Sequence, residues 1–88
     1  MKKIISILQP FELEQKIFVY EDGNKIDAQQ VRIDDLPVTI LELANKYQIS
    51  QIDLLGPKQY SRGICSKIKN QAVALYQVQS QPLEINVR

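Results

Sequence analysis

The sequence predicts an α/β domain of the α+β kind, in which a mixed sheet of five strands is covered by two helices in the order βββαβαβ. Three observations carry that expectation. Two strand-like runs flank Asp22-Gly23-Asn24, a tight-turn signal built on residues that tolerate positive φ. A one-sided apolar stripe follows at Leu36, Ile40, Leu43, Ala44 and Tyr47, at helical spacing. A short apolar run from Ile49 to Leu55 then breaks at Gly56-Pro57 and enters a second helical pattern, as a crossover between parallel strands does.

Each element has a local reason. Ile4, Ile5, Ile7 and Leu8 form a near-continuous apolar run, which suits a central strand buried on both faces. Residues Gln15 to Glu21 hold Ile17, Phe18, Val19 and Tyr20, β-branched and aromatic, for the second strand. The third is expected from Lys25. Its apolar positions change parity between Ile26/Ala28 and Val31/Ile33, so either a β-bulge near Gln29-Gln30 or a strand that straddles the sheet edge is expected.

Asp34 or Asp35 offers an N-cap, and Pro37 sits in the first turn, where a missing amide hydrogen is harmless. The first helix should run to about Gln48. The second should begin between Pro57 and Ser61 and reach about Gln71, burying Tyr60, Ile64 and Ile68. From Ala72 to Gln79 both helix and strand patterns fit. After the break at Ser80-Gln81-Pro82, Leu83, Ile85 and Val87 alternate as the inward side of a last strand.

Length and composition bound the function. Eighty-eight residues are enough for one domain, 1–88, and not for two cores. A hydrophobic fraction of 44% against 24% charged residues excludes a disordered chain. Eleven basic and ten acidic residues leave a net charge of +1, so no global field draws nucleic acid or an anionic membrane. Cys65 is the single cysteine and has no internal disulfide partner, which makes an intracellular, cytoplasmic protein the expectation. The opening Met-Lys-Lys-Ile-Ile run ends at Gln9-Pro10, too early for a signal-peptide core, and no run approaches the roughly 20 apolar residues of a membrane span.

Histidine is absent, which removes the commonest general base and the commonest metal ligand together. No catalytic residue, metal site or cofactor is expected. The candidate site is the turn from strand to helix, where Gly56, Lys58, Ser61, Arg62 and Gly63 would offer an anion free amides, a hydroxyl and two cations at a helix N-terminus. It lacks the glycine and lysine spacing of a P-loop. The plainer reading is a turn with solvated Lys58 and Arg62 and a glycine at 63 that lets the helix pack closely.

Other groups have plain readings beside their functional ones. Lys58, Arg62 and Lys69 share a helix face, as a nucleic-acid stripe or a solvated surface. Cys65 reads as a small buried hydrophobe, since only Arg62 or Lys69 stands near enough in sequence to favour a thiolate. Tyr20, Tyr47, Tyr60 and Tyr76 read as core or half-buried aromatics before they read as interface anchors. Glu12, Glu14, Glu21, Asp22 and Asp27 lie at turns and strand ends without calcium-loop spacing and read as solubilising.

The element order, with the Gly56-Pro57-Lys58-Gln59-Tyr60-Ser61-Arg62-Gly63-Ile64 crossover, resembles a reduced ribonuclease H-like fold, including its actin-like members. The resemblance is one of topology and carries no family motif. Nucleases of that fold hold a metal pair with carboxylates, the first in the middle of the first strand. Here that strand reads Lys3-Ile-Ile-Ser-Ile-Leu-Gln9, and Asp53 is the one acidic residue near a fitting place, so nuclease chemistry is not expected. In style the chain is also similar to accessory proteins of phages and mobile elements.

The expected function is a non-enzymatic protein interaction or assembly module, an accessory protein of such an element. Its expected partner is another protein or a second copy, paired along an edge strand at Lys25–Ile33 or Leu83–Val87, and not nucleic acid or membrane. The alternative is a binder of small anions or nucleotide phosphates at Gly56 to Gly63.

Overall fold

A computed structural model describes residues 1–75 and 83–88. Strand β1 (Lys2–Ile7), β2 (Glu14–Glu21) and β3 (Asn24–Arg32) are followed by a 3₁₀ turn (Ile33–Asp35) and helix α1 (Leu36–Tyr47). Then come β4 (Gln51–Leu55), α2 (Lys58–Leu75) and β5 (Glu84–Val87). The sheet order is β3-β2-β1-β4-β5. β1, β2 and β3 pair antiparallel, whereas β4 lies parallel to β1 and β5 parallel to β4. This is the βββαβαβ mixed sheet with two helices that the sequence predicts.

The hairpin turns on Asp22 and Gly23, both at positive φ, while Asn24 already belongs to the strand. Two consecutive positive φ values match the right-handed twist of the strands they join. The bulge lies elsewhere than expected. Val19 pairs with Asp27 and Tyr20 with Lys25, so Ile26 is the extra residue, near the turn and not at Gln29-Gln30. The insertion leaves Asp27 and Val31 on one face and sends Ile26, 41% exposed, outward; β3 is an edge strand where an outward isoleucine displaces nothing from the core.

Asp35, one of the two expected caps, stands at the N-cap position of α1, but its carboxylate makes no capping hydrogen bond. Asp35 itself has helical dihedrals and follows a 3₁₀ turn in which the Leu36 N–H already reaches the Ile33 carbonyl. Leu36, Ile40, Leu43 and Ala44 are buried as the stripe predicts, and so is Leu41, because α1 packs against α2 as well as the sheet. The helix ends at Gln48 in the left-handed region, whose side chain donates to the Asn45 carbonyl at 2.7 Å. Ile49 is buried beside the helix end, its N–H bonded to Ala44 O, so β4 starts at Gln51.

Helix α2 extends to Leu75, which makes 72–75 helical; 76–79, including Tyr76, lie outside the described residues. Ile64 and Ile68 are buried and Tyr60 is half-buried, all on the sheet side.

The buried side chains of the strands, Ile4, Leu8, Ile17, Val19, Ile52 and Leu54, share one cluster with those of α1 and α2. Both helices therefore cover the same face. β1 is central, yet it is buried on that face only: Ile5 is half-buried and Ile7 is 41% exposed on the other. The two-sided apolar pattern of its sequence is thus half used among the described residues.

Candidate functional site

At the end of β4 the chain passes so close to β1 that only glycine fits. A β-carbon built on Gly56 would lie 2.9 Å from the Leu8 carbonyl oxygen and 3.0 Å from the Leu8 Cβ. Its N–H donates to the Arg88 carbonyl at 3.2 Å, so this amide is engaged within the fold. Ser61, one turn into α2, is fully buried, and its Oγ has no protein partner. Its N–H bonds Pro57 O at 2.9 Å. Lys58, Arg62 and Gly63 stand exposed, and a β-carbon on Gly63 would meet nothing within 4 Å. Of the five candidate residues, then, two face into the fold and three face solvent. Gly63 does not serve close packing.

The remaining candidates fall in separate places. Lys69 is exposed on α2 and Cys65 is buried there. The Tyr60 hydroxyl is enclosed without a partner, and burial raises its pKa. Asp53 pairs in register with Ile5 of β1, so the neighbouring strand offers it no second carboxylate. Its Oδ1 accepts from Asn86 Nδ2 at 3.0 Å, and its Oδ2 lies 3.9 Å from Lys3 Nζ. A shallow cleft of about 400 Å³ opens between Lys2, Glu21, Tyr47, Ser50 and Gln51. Among the described residues no group of three or more His, Cys, Asp and Glu side chains converges as a metal site, and no helix is long and apolar enough to cross a membrane.

The larger feature is the sheet face that the helices leave bare. Register places Ala28, Phe18, Ile5, Asp53 and Asn86 in one row across all five strands. On one side of that row lie Lys16, Ile7 and Leu55; on the other, Lys25, Tyr20, Lys3, Gln51 and Glu84. The Phe18 and Tyr20 rings are 6.5 Å apart and tilted, and the Lys25 ammonium lies 5.3 Å from the Phe18 centroid. Lys25, Lys16 and Arg32 lie on the β3 and β2 side of this face, with Glu14 paired to Arg32; Asp53, itself buried, and Glu84 lie on the β4 and β5 side, with Lys3 between them on β1.

Two further features escape sequence reading. The loop between β1 and β2 is braced by Gln15, which is fully buried: its Oε1 accepts from Gln9 N at 2.6 Å and its Nε2 donates to Gln9 O at 2.7 Å and Glu12 O at 2.9 Å. That loop presents Phe11, 100% exposed, and Leu13, 73% exposed. Its signal was a glutamine at the buried parity of β2, beside Ile17 and Val19. The second feature is at the β3 edge. Ile33 N–H bonds Leu13 O, so alternate residues of β3 bond inward and Ala28, Gln30 and Arg32 turn their amides outward. The Asp27 carboxylate covers the outward Ala28 N–H at 2.8 Å and is held from behind by Tyr47 Oη at 2.7 Å. Twenty positions separate Asp27 from Tyr47, and no local pattern links them.

No family model and no curated protein matches the chain. Among solved structures it is similar to a Bacteroides thetaiotaomicron protein with an actin-like ATPase fold and unknown function, at 12% identity and a TM-score of 0.68. The match covers 99% of this chain and 32% of that one, so the chain spans about a third of its neighbour's length. At this identity the similarity shows a shared fold, one compatible with the ribonuclease H-like topology.

Proposed function

We propose that this domain is a non-enzymatic interaction module whose bare sheet face is the surface that meets another protein. The observation that supports this reading is the apolar second face: Ile5, Ile7, Phe18, Tyr20 and Leu55 line it, and none of them is fully buried. Strands that lie parallel, as β1, β4 and β5 do, are normally covered on both faces, because each face carries apolar side chains that gain by leaving water. Pairing along β3 is the second route to a partner, and there the Asp27 carboxylate already occupies one outward amide. The anion reading would draw on Lys58 and Arg62, which stand in solvent where α2 begins, and gains nothing from the enclosed Ser61 hydroxyl.

A photoreactive residue placed at Phe18, in cells that make the protein, tests the interaction reading. Irradiation should give a covalent product with a protein, whereas the same residue at Lys67, exposed on α2, should give none. A Phe18 probe that captures no protein would remove the basis for an interaction module built on this face.

A further inference from the structure

We infer that the occupant of the bare face is a second copy of this chain, stacked sheet against sheet about a two-fold axis that runs along β1. The inference rests on the interaction reading above and adds the partner's identity.

The first support is the opposite charge at the two edges of one row, Lys25 on β3 and Glu84 on β5. β1 is the middle strand, so a two-fold along it lays β3 of one copy over β5 of the other and keeps each row of residues level with itself. Lys25 and Glu84 occupy the same row at opposite edges: Tyr20 pairs with both Lys3 and Lys25, Gln51 pairs with Glu84, and the Ile4–Ile52 register brings Lys3 level with Gln51. Stacking therefore sets Lys25 of each copy over Glu84 of the other, twice per dimer. A two-fold across the strands keeps β3 over β3 and β5 over β5, so it never brings Lys25 over Glu84. The two Lys3 ammonium groups approach at the chosen axis, each beside its own Asp53.

The second support is size. Five strands about 4.8 Å apart and five or six residues at about 3.3 Å give a face roughly 24 Å by 18 Å. Two such faces cover on the order of 900 Å² in plan, and side-chain relief adds to this, which brings the area to the roughly 1,000 Å² lower limit of a specific interface. Third, the chain is nearly neutral, at +1, so no long-range repulsion opposes self-association. Aligned packing of two sheets would also give β1 the second buried face that its Ile4-Ile5-Ser6-Ile7-Leu8 run implies.

Sedimentation equilibrium on the purified chain, with charge reversals at the two edges, tests the arrangement. The expected result is a dimer whose dissociation constant rises about tenfold in Lys25→Glu, and again in Glu84→Lys, because each exposed substitution acts at both symmetric contacts. An equimolar mixture of the two variants should recover the native affinity, since every contact is then acid against base. A dimer indifferent to both substitutions would overturn the stacked arrangement. A monomer at high micromolar concentration would overturn the second copy as occupant; if the Phe18 probe then captured a different protein, the interaction reading would still stand, and if it captured none, both would fall.

Discussion

Gly56 and Gly63 lie near each other in sequence and do opposite work. Gly56 approaches a carbonyl whose own strand is fixed, since Leu8 N–H bonds Leu55 O at 2.7 Å, so a methyl group there must push backbone. Gly63 sits mid-helix in open space. Gly56→Ala should cost about 1–3 kcal/mol in urea unfolding through overpacking. Gly63→Ala should gain roughly 0.5–1 kcal/mol, because alanine has less backbone freedom to lose. A Gly63→Ala chain less stable than the parent would show that the site is not open.

The Asp27–Tyr47 pair should write a signature into the pH profile. The hydrogen bond from Tyr47 lowers the Asp27 pKa, helped by the Ala28 N–H and the Lys46 charge and opposed by burial. A depressed carboxyl contributes stability above its unfolded value of about 3.9, and that stability is lost as pH falls through the folded value. Tyr47 is shifted up, chiefly by the same bond to Asp27. Its share is complete below the unfolded value of about 10 and is lost as pH rises through the folded one. Melting temperature against pH should therefore lose part of both its acid and its alkaline limb in Tyr47→Phe. Identical profiles for the two proteins would show that the bond is not formed in solution.

At the scale of elements, the loop between β1 and β2 depends on one side chain from the strand that follows it. Gln15→Ala removes three hydrogen bonds and takes the partner from the Gln9 N–H and the Glu12 carbonyl, while the Gln9 carbonyl keeps the Glu12 N–H at 3.0 Å. The expected loss is about 2–3 kcal/mol, with amide exchange at Gln9 rising before exchange in β1 does. Equal protection of Gln9 in both proteins would mean that the loop is held by other contacts. Elements themselves were legible where periodicity and punctuation agree: Asp22-Gly23 for the hairpin, the Leu36 to Ala44 stripe for α1, Gly56-Pro57 for the crossover. The bulge was legible as a change of parity in β3 but was misplaced. Parity tells that one residue is extra, and only pairing with β2 tells which one.

The whole molecule measures 35 × 30 × 20 Å between Cα extents, and the short dimension is that of two layers, one sheet and one pair of helices. Composition and pattern gave the layers but not their sides. β1 reads as a strand covered twice, and nothing local says that α1 and α2 share one face. The candidate site suffered from the same gap, because Gly56 is placed by Leu8 and Arg88, distant in sequence, and the burial of Ser61 follows from the packing of α2 and not from its local pattern. The bare face was legible only as the unused parity of β1 and β2, Ile5 and Ile7 with Phe18 and Tyr20.

The braced loop has a consequence in entropy. A flexible surface segment that binds must lose its freedom at that moment, and the loss subtracts from affinity. Here Gln15 has fixed the backbone around Phe11 during folding, while the ring itself remains wholly in water. Whatever covers that ring meets a group already set in place, and the ordering of the loop belongs to the stability of the free chain and not to the strength of the complex.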